Sequence, residues 1–338
     1  MGKQCRDFSK KSFIAELSMD WHKAALLLFW IFQNFSALAQ ESFQLIEDLE
    51  YLPTGNPRQK LDLFVRPISK KKQPSSSLAK ITKPLPLVVW VHGGGWQNGD
   101  KKSARRYDRL PRVLQTGRYQ GASINYRLSN QAKWPAQIED CQEAIRWLRA
   151  NGSKYGMNTD NIAVWGSSAG GHLASMLGVL SNLKASETAP SEKGQKPFGR
   201  VQAVVNYYGP SSFLRMDDFP SKINHNSPNS PESKLLGLPI TQNQKLADQA
   251  SPLHHVSANL PPFIHFHGTH DQLVPYNQSV IFHQKLLTHE NSSRLISVQQ
   301  GGHFMPADYT EKYVIPFLDF HFYKTGELPE TQKVKIRR

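Results

Sequence analysis

The chain has little cysteine and little acidic charge, and it lacks a hydrophobic run of membrane-spanning length. Its 338 residues include only two cysteines, Cys5 and Cys141, which excludes a disulfide framework. The apolar run at residues 24–32 is far shorter than the roughly 20 residues that cross a bilayer, so no stable membrane span is predicted. A 39% apolar composition with 22 glycines and 22 prolines is that of an ordinary globular protein, not of a disordered, collagen-like or coiled-coil chain.

Acidic residues are outnumbered, 27 against 41 lysines and arginines, and the formal net charge is +14. A solvated basic surface explains this balance. The alternative, a more specific hypothesis, is a preference for acidic polymers such as charged polysaccharides. Nucleic-acid binding would need basic residues interleaved with aromatics, or a known module. Neither is present, so no nucleic-acid partner is predicted, and nothing in the sequence indicates an oligomeric state.

The first 39 residues have the features of an export signal. Lys23 precedes the apolar run at 24–32, and the small residues of Ser36-Ala37-Leu38-Ala39 follow it. This pattern predicts a signal peptide, residues 1–39, cleaved after Ala39, and a secreted or periplasmic mature chain of residues 40–338. Because residues 1–18 would be an unusually long, mixed-charge leader, Met19 is the more ordinary start. Cys141 would then be the only cysteine, and we expect it to be buried as a small apolar residue.

Strand and helix patterns alternate along the mature chain. Apolar runs and alternating segments predict strands, and apolar stripes at helical spacing predict helices. The strands are expected at 59–65, 85–92, 121–128, 161–165, 201–207, 262–267 and 295–299, and the helices at 135–155, 170–180 and 313–323. This order predicts an α/β fold with a mostly parallel central sheet covered by helices on both faces.

Residues 209–260 interrupt the alternation with a segment rich in proline, asparagine and serine. Insertions between strands of an α/β sheet sit at the carboxyl ends of the strands, above the ligand crevice. We therefore expect a small cap there, with a surface excursion as the alternative.

The strongest chemical motif is Gly166-Ser167-Ser168-Ala169-Gly170, which lies between a predicted strand and a predicted helix. In a turn this tight the central residue is strained and projects its side chain, and small neighbours are needed where the backbone crosses itself. The pattern identifies Ser168 as a candidate nucleophile.

A glycine-rich loop, His92-Gly93-Gly94-Gly95-Trp96, follows the most apolar strand. Its amides can point at a ligand oxygen, so Gly94 and Gly95, together with the amide of Ala169, are the candidate oxyanion hole. The sequence does not distinguish Gly93 from these two glycines, so Gly93 is a further candidate for the oxyanion hole. A phosphate-binding loop would need a Lys/Ser pair or a spaced third glycine, which the following residues lack. His92 is expected to brace the loop.

A nucleophilic serine needs a base, and the base needs a carboxylate that fixes its tautomer. His303 follows the last predicted strand and Asp271 follows the preceding one. The order Ser168, Asp271, His303 at the ends of consecutive strands predicts a catalytic triad.

Histidines also cluster near Asp271, at His265, His267 and His270. These side chains could indicate a metal site, but the strand that carries two of them should be buried in the sheet and no second group of ligands appears. No metal and no cofactor are predicted.

Several aromatic residues flank the motifs. Each is a candidate for lining a substrate pocket, with core packing as the alternative. They are Trp96, Tyr126, Tyr208 and Phe304.

Together these segments resemble the α/β-hydrolase carboxylesterases, in particular the bacterial secreted group related to feruloyl and acetyl-xylan esterases, which adjoins the hormone-sensitive-lipase-like enzymes. The resemblance is carried by HGGGW, NYRL, GSSAGGH, HGTHDQLVP and GGHF and extends over about residues 57–325. It implies an α/β-hydrolase fold and a serine esterase with Ser168 as nucleophile, His303 as base and Asp271 as orienting acid. It implies no cofactor.

The sequence therefore predicts a secreted serine carboxylesterase that acts on short-chain acyl or aromatic esters of the acetyl or feruloyl type. The substrate would be a small molecule or an ester linked to a polysaccharide. An amidase of the same fold, arylformamidase-like or a peptidase, is the alternative. A non-catalytic binding module would be expected to have lost a triad member, and none is lost. The polar character of residues 209–260 argues against the apolar lid of a lipase.

Overall fold

The computed structural model describes residues 43–66, 83–106, 109–182 and 199–335. The predicted signal peptide, its cleavage point after Ala39 and the alternative start at Met19 lie outside the described residues. Among the described residues, no helix is both long enough and apolar enough to cross a membrane.

The described residues form one nine-stranded sheet in the order β1-β2-β4-β3-β5-β6-β7-β8-β9. The contacts of β2 with β1 and with β4 are antiparallel, and the remaining neighbours run parallel. The predicted mostly parallel sheet is thus confirmed. The strands are β1 (Gln44–Glu50), β2 (Lys60–Val65), β3 (Leu85–Val91), β4 (Gln120–Ile124), β5 (Met157–Ser167), β6 (Ala203–Tyr207), β7 (Phe263–Gly268), β8 (Ser293–Gln299) and β9 (Gln332–Lys335).

Helices cover both faces of the sheet. On the central strand β3, Val89 belongs to the core on one face and Trp90 to the core on the other. Burial on both faces explains why the strand is a continuous apolar run. The α-helices are α1 (Ser103–Arg106), α2 (Arg109–Gln115), α3 (Ala136–Asn151), α4 (Ala169–Val179), α5 (Pro231–Leu236), α6 (Gln244–Gln249), α7 (Asn277–Thr288) and α8 (Ile315–Tyr323).

Two predicted strands differ from the structure by more than two residues at one end. β4 ends at Ile124, not at residue 128, because Asn125 leaves the ladder and anchors a loop: its side chain accepts from the Lys101 amide at 2.7 Å. β5 begins at Met157, four residues before the predicted start, and its register against β3 shifts between Pro86 and Leu87.

A buried cation fixes the far end of the glycine-rich loop. The Lys101 ammonium is 2.6 Å from Asp62 Oδ1 on β2 and 2.8 Å from Asp48 Oδ1 on β1. Burial alone would lower the pKa of Lys101, but the hydrogen bonds to the two carboxylates outweigh it and raise the pKa. The loop after β3 is therefore tied to the antiparallel edge of the sheet. Cys141 is buried, as expected.

Candidate active site

Ser168 occupies a strained turn between β5 and α4. Its backbone has φ 55° and ψ −123°, outside the regions that ordinary residues favour. A Cβ on Gly166 would lie 2.1 Å from the Gly170 carbonyl oxygen, and one on Gly170 would lie 2.1 Å from the Val91 carbonyl oxygen. Both glycines are required because backbone segments cross here, which accounts for the Gly-x-Ser-x-Gly pattern.

The glycine-rich loop packs directly on this turn. A Cβ on Gly93 would lie 2.6 Å from the Ser167 carbonyl oxygen and 3.3 Å from Ser168 Cβ. Gly94 and Gly95 have φ of 118° and 58°, in the region that favours glycine. All three glycines line the same cavity as Ser168 and Ala169. The structure therefore brings every predicted oxyanion-hole residue to the side of the candidate nucleophile.

His92 supports the loop from below. Burial lowers the pKa of its imidazole to about 4, so the ring is neutral near pH 7. Its Nδ1 is 2.8 Å from the Gly93 carbonyl oxygen and its Nε2 is 3.2 Å from the Arg58 guanidinium. This pattern assigns the proton to Nδ1, which donates to Gly93, while Nε2 accepts from Arg58.

The prediction that Tyr126 lines the substrate pocket is wrong. Its ring is fully buried and stacks on His92 with the centroids 4.3 Å apart, and its hydroxyl donates to the His92 carbonyl oxygen at 2.9 Å. It therefore lies beneath the glycine-rich loop and is not among the residues that line the cavity. The phenol finds a backbone acceptor in the core, as buried tyrosines do.

Asp271 and His303 are hydrogen-bonded to each other. The distance from His303 Nδ1 to Asp271 Oδ2 is 2.7 Å, and the same oxygen is 3.2 Å from His267 Nε2. The other carboxylate oxygen accepts from the amides of Leu273 and Val274 at 2.9 and 3.1 Å. Burial alone would raise the pKa of Asp271, but the hydrogen bonds from the two histidines outweigh it and lower the pKa below its ordinary value. The carboxylate is therefore ionised at neutral pH.

The other histidines of this region are held in separate hydrogen bonds. His267 Nδ1 is 2.7 Å from the Ser279 hydroxyl, and His267 Nε2 is 2.9 Å from the Val274 carbonyl oxygen. His265 stacks on Phe263, with its Nδ1 3.2 Å from Asn206 Nδ2. Among the described residues, no group of three or more potential ligands is arranged to hold a metal ion. His267 is instead a second support of the Asp271 carboxylate, a role the sequence did not indicate.

Ser168 and His303 line one cavity of about 450 Å³. Three of the four predicted pocket aromatics line it too: Trp96, Tyr208 and Phe304. Phe304 is 58% exposed at the mouth, whereas the Tyr208 ring is buried with its centroid 4.4 Å from that of His303. Tyr208 thus packs against the His303 ring.

Two further groups of the cavity wall were missed from the sequence. Arg109 is buried with its guanidinium carbon 4.9 Å from the Tyr207 ring centroid, and its Nη2 donates to the Met305 carbonyl oxygen at 3.3 Å. From residues 209–260 come His225 and Glu232, which are joined at 3.0 Å between Nδ1 and Oε2. The segment predicted to be a cap therefore contributes part of the wall.

Comparison with known proteins identifies the family of the chain. Residues 77–286 match the BD-FAE family. Among curated proteins, the chain is 32% identical over 233 residues to the esterase LipC of Mycobacterium tuberculosis, which covers 66% of this chain and 51% of LipC. The chain spans about half the length of the curated relatives it matches first.

Solved structures of esterases share the fold. A truncated carbohydrate esterase from gut microbiota superposes with a TM-score of 0.69 at 25% identity, covering 84% of this chain and 97% of that one. A bifunctional GH43-CE protein of Bacteroides eggerthii superposes with a TM-score of 0.68 at 29% identity, covering 83% of this chain and 38% of that one. The α/β-hydrolase fold and the resemblance to carboxylesterases are thereby confirmed.

Proposed function

Because the chain belongs to the BD-FAE family of α/β-hydrolases, we propose that it is a serine carboxylic ester hydrolase with Ser168, His303 and Asp271 as its catalytic residues. The observation that carries the proposal is the 2.7 Å hydrogen bond between Asp271 and His303, and His303 lines the same cavity as the strained Ser168.

The reaction runs in two halves through an acyl-enzyme. Ser168 Oγ attacks the ester carbonyl carbon while His303 Nε2 takes its proton, and the imidazolium then gives that proton to the departing alcohol. A water molecule, deprotonated by the same nitrogen, attacks the acyl carbon, and the proton returns to Ser168 as the acid leaves. Asp271 stays ionised throughout and stabilises the imidazolium through Nδ1.

Backbone amides supply the stabilisation of the tetrahedral oxyanion. The loop bearing Gly94 and Gly95 adjoins Ser168, with Gly93 packed on the Ser167 carbonyl, and Ala169 begins α4. We assign the oxyanion hole to the amides of Gly94, Gly95 and Ala169. His92, neutral and fixed between Gly93 and Arg58, holds this loop without adding a charge that would have to be reorganised.

The acyl group is small or aromatic, and the substrate is a free ester or one linked to a polysaccharide. Two findings support this part of the proposal: the cavity of about 450 Å³ has aromatic walls, and carbohydrate esterases are among the similar structures. Residues 209–260 act as a small cap, since they contribute five residues to the wall: Pro210, Ile223, His225, Pro231 and Glu232. We further propose that residues 1–39 are an export signal and that the mature enzyme acts outside the cytoplasm.

The test is hydrolysis of p-nitrophenyl esters from acetate to palmitate by the chain from Gln40, with Ser168→Ala as the control. We expect kcat/KM to be highest for the shortest acyl groups and to fall by at least 1000-fold in Ser168→Ala. Activity that survives the substitution would refute the assignment of the nucleophile. Hydrolysis of aryl anilides or N-formyl anilides faster than of the matched esters would establish an amidase instead.

A further inference from the structure

A buried acid–base pair of the cap lies in the wall of the catalytic cavity. His225 and Glu232 are 1% and 2% exposed, and both line the cavity. His225 Nδ1 is 3.0 Å from Glu232 Oε2. Among the described residues, the second carboxylate oxygen, Oε1, has no hydrogen-bond partner. The reaction mechanism uses neither side chain.

The cap holds this pair rigidly from behind. The His225 amide donates to Asp217 Oδ1 at 2.9 Å, and His225 Nε2 is 3.2 Å from the Ser221 hydroxyl. Glu232 lies in the first turn of α5, whose preceding residue, Ser230, accepts a hydrogen bond from the Ser233 amide at 3.0 Å. The carboxylate therefore presents a fixed acceptor to the cavity.

This acceptor is close to the place where the ester must bind. A Cβ on Gly95 would lie 3.5 Å from Pro231 Cβ, so the start of α5 packs beside the oxyanion loop. Glu232 is the next residue of that helix turn. A group attached to a carbon next to the scissile ester thus comes within the same small cavity as the Glu232 carboxylate.

When a bound substrate shields a carboxylate from water, both of its oxygens need hydrogen-bond donors. His225 supplies one donor, and a bound substrate can supply another. A hydroxyl group donates such a bond, and bonds to a charged acceptor are about twice as strong as neutral ones. An ether oxygen donates nothing, and a second carboxylate is repelled.

We propose that Glu232, positioned by His225, accepts a hydrogen bond from a free hydroxyl group beside the scissile ester and so selects partially acylated polyols. Esters whose neighbouring hydroxyls are alkylated, or replaced by a carboxylate, bind poorly. The assignment rests on the proposed function, because it concerns the substrate of the same cavity.

The first measurement compares two substrates on the wild-type enzyme. Methyl β-xyloside carrying one O-acetyl group and two free hydroxyls is set against the same ester with those hydroxyls O-methylated. A site built to bind a substrate hydroxyl rejects an analogue that lacks it. We expect kcat/KM to be at least tenfold higher for the free-hydroxyl ester, mainly through KM. Equal values would overturn the proposal without any variant having to fold.

Two variants then locate the selectivity. Glu232→Gln keeps the shape of the side chain but removes its charge. We expect the preference for the free-hydroxyl ester over the O-methylated ester to fall to threefold or less. Acetoxyacetate, an ester that bears a carboxylate, should also be hydrolysed better relative to the free-hydroxyl ester than it is by the wild-type enzyme. Asp218→Asn removes one acidic charge from the exposed part of the same cap, where it pairs with Arg215 at 2.9 Å, and the preference should persist. Circular dichroism melting verifies that each variant is folded.

The outcomes separate the two proposals. If wild-type enzyme hydrolyses no ester, the proposed function fails. If it hydrolyses p-nitrophenyl acetate and both xyloside esters with equal kcat/KM, or if Glu232→Gln keeps the full preference, only the role of Glu232 fails. A preference that disappears in Asp218→Asn as well would assign it to the charge of the cap as a whole and overturn the specific contact.

Discussion

At the residue scale, the Asp271 carboxylate has more partners than a triad requires. Two histidines share Oδ2 and two backbone amides bind Oδ1. His267 is itself held by the Ser279 hydroxyl and the Val274 carbonyl. The carboxylate is thus fixed in position and kept ionised before any substrate binds, which is what the orienting member of a triad must provide.

Asp271→Asn tests that role. An amide cannot hold the His303 proton on Nδ1 and can force the wrong tautomer, so we expect kcat to fall by about 10⁴-fold with little change in KM. The measurement is steady-state hydrolysis of p-nitrophenyl acetate. Asp248→Asn, in the cap helix α6, is the matched control and should retain wild-type kcat. A loss of less than tenfold in Asp271→Asn would show that another carboxylate orients His303.

Tyr126→Phe tests the corrected position of an aromatic residue. The change leaves the His92 carbonyl without its 2.9 Å donor, and we expect the free energy of unfolding to fall by about 1 kcal/mol. Because the ring does not line the cavity, KM for acetate esters should move less than twofold. Urea denaturation and steady-state kinetics check the two expectations. A large rise in KM with unchanged stability would show that Tyr126 lines the substrate pocket after all.

Sequence could identify residues whose type is dictated by the chemistry. Ser168, Asp271 and His303 can be identified because a triad needs three residue types at strand ends, here those of β5, β7 and β8, and the structure brings the last two residues within 2.7 Å. Tyr126 and Tyr208 could not be told apart in this way. Both are aromatic residues at or near the end of a predicted strand, and only the packing of the glycine-rich loop decides which ring reaches the cavity.

At the element scale, the strand–turn–helix unit around Ser168 depends on close backbone crossings. Gly166→Ala would place a Cβ 2.1 Å from the Gly170 carbonyl oxygen, so the turn must shift. We expect the free energy of unfolding to fall by about 3 kcal/mol and the esterase activity to be lost together with the geometry of the turn. Urea denaturation and p-nitrophenyl acetate hydrolysis measure the two effects.

Gly199→Ala is the control for that substitution. Its Cβ would meet only Gln142 Cγ, at 3.9 Å, which is an ordinary contact. We expect its stability to lie within about 0.5 kcal/mol of wild type. If Gly166→Ala were as stable and as active as Gly199→Ala, the requirement for glycine in the turn would be wrong.

The elements that sequence missed have weak or mixed patterns. The edge strand β1 is mostly exposed and has a register shift between Ile46 and Leu49, so it lacks the apolar alternation of a strand. Helix α7 buries Gln278, Ser279 and His283 together with its apolar residues. In a sequence a polar residue is expected at the surface. Because polar residues lie on the buried face of this helix, its apolar residues do not form a recognisable helical stripe.

At the scale of the whole molecule, the strands of the sheet carry the proposed catalytic residues, and the proposed cap carries the pair to which we assign selectivity. The central strands are apolar and regular, and their positions along the chain could be inferred from sequence. Residues 209–260 contain two short α-helices, α5 and α6, within irregular structure, and their burial comes from contacts with distant segments. The His225–Glu232 pair forms between residues seven positions apart within this irregular segment, so no helical or strand periodicity could reveal it.

Buried neutral histidines make the stability of the whole fold depend on pH. Burial lowers the pKa of both His92 and His172 to about 4, whereas in the unfolded chain they titrate near 6.5. Between those two values the unfolded state binds more protons than the folded state. Stability is therefore fully present above about pH 6.5 and decreases as the pH falls toward 4.

Each of the two pKa shifts lowers the free energy of unfolding by about 3 kcal/mol when the pH has fallen to 4. We expect urea denaturation to give a clearly lower free energy of unfolding at pH 5 than at pH 7.5. His172→Asn should reduce this slope, because one proton-linked group is removed, even if the variant is less stable at pH 7.5. His270→Asn, at an exposed position, should keep the wild-type slope. A slope that His172→Asn leaves unchanged would mean that the acid sensitivity comes from groups other than this buried imidazole.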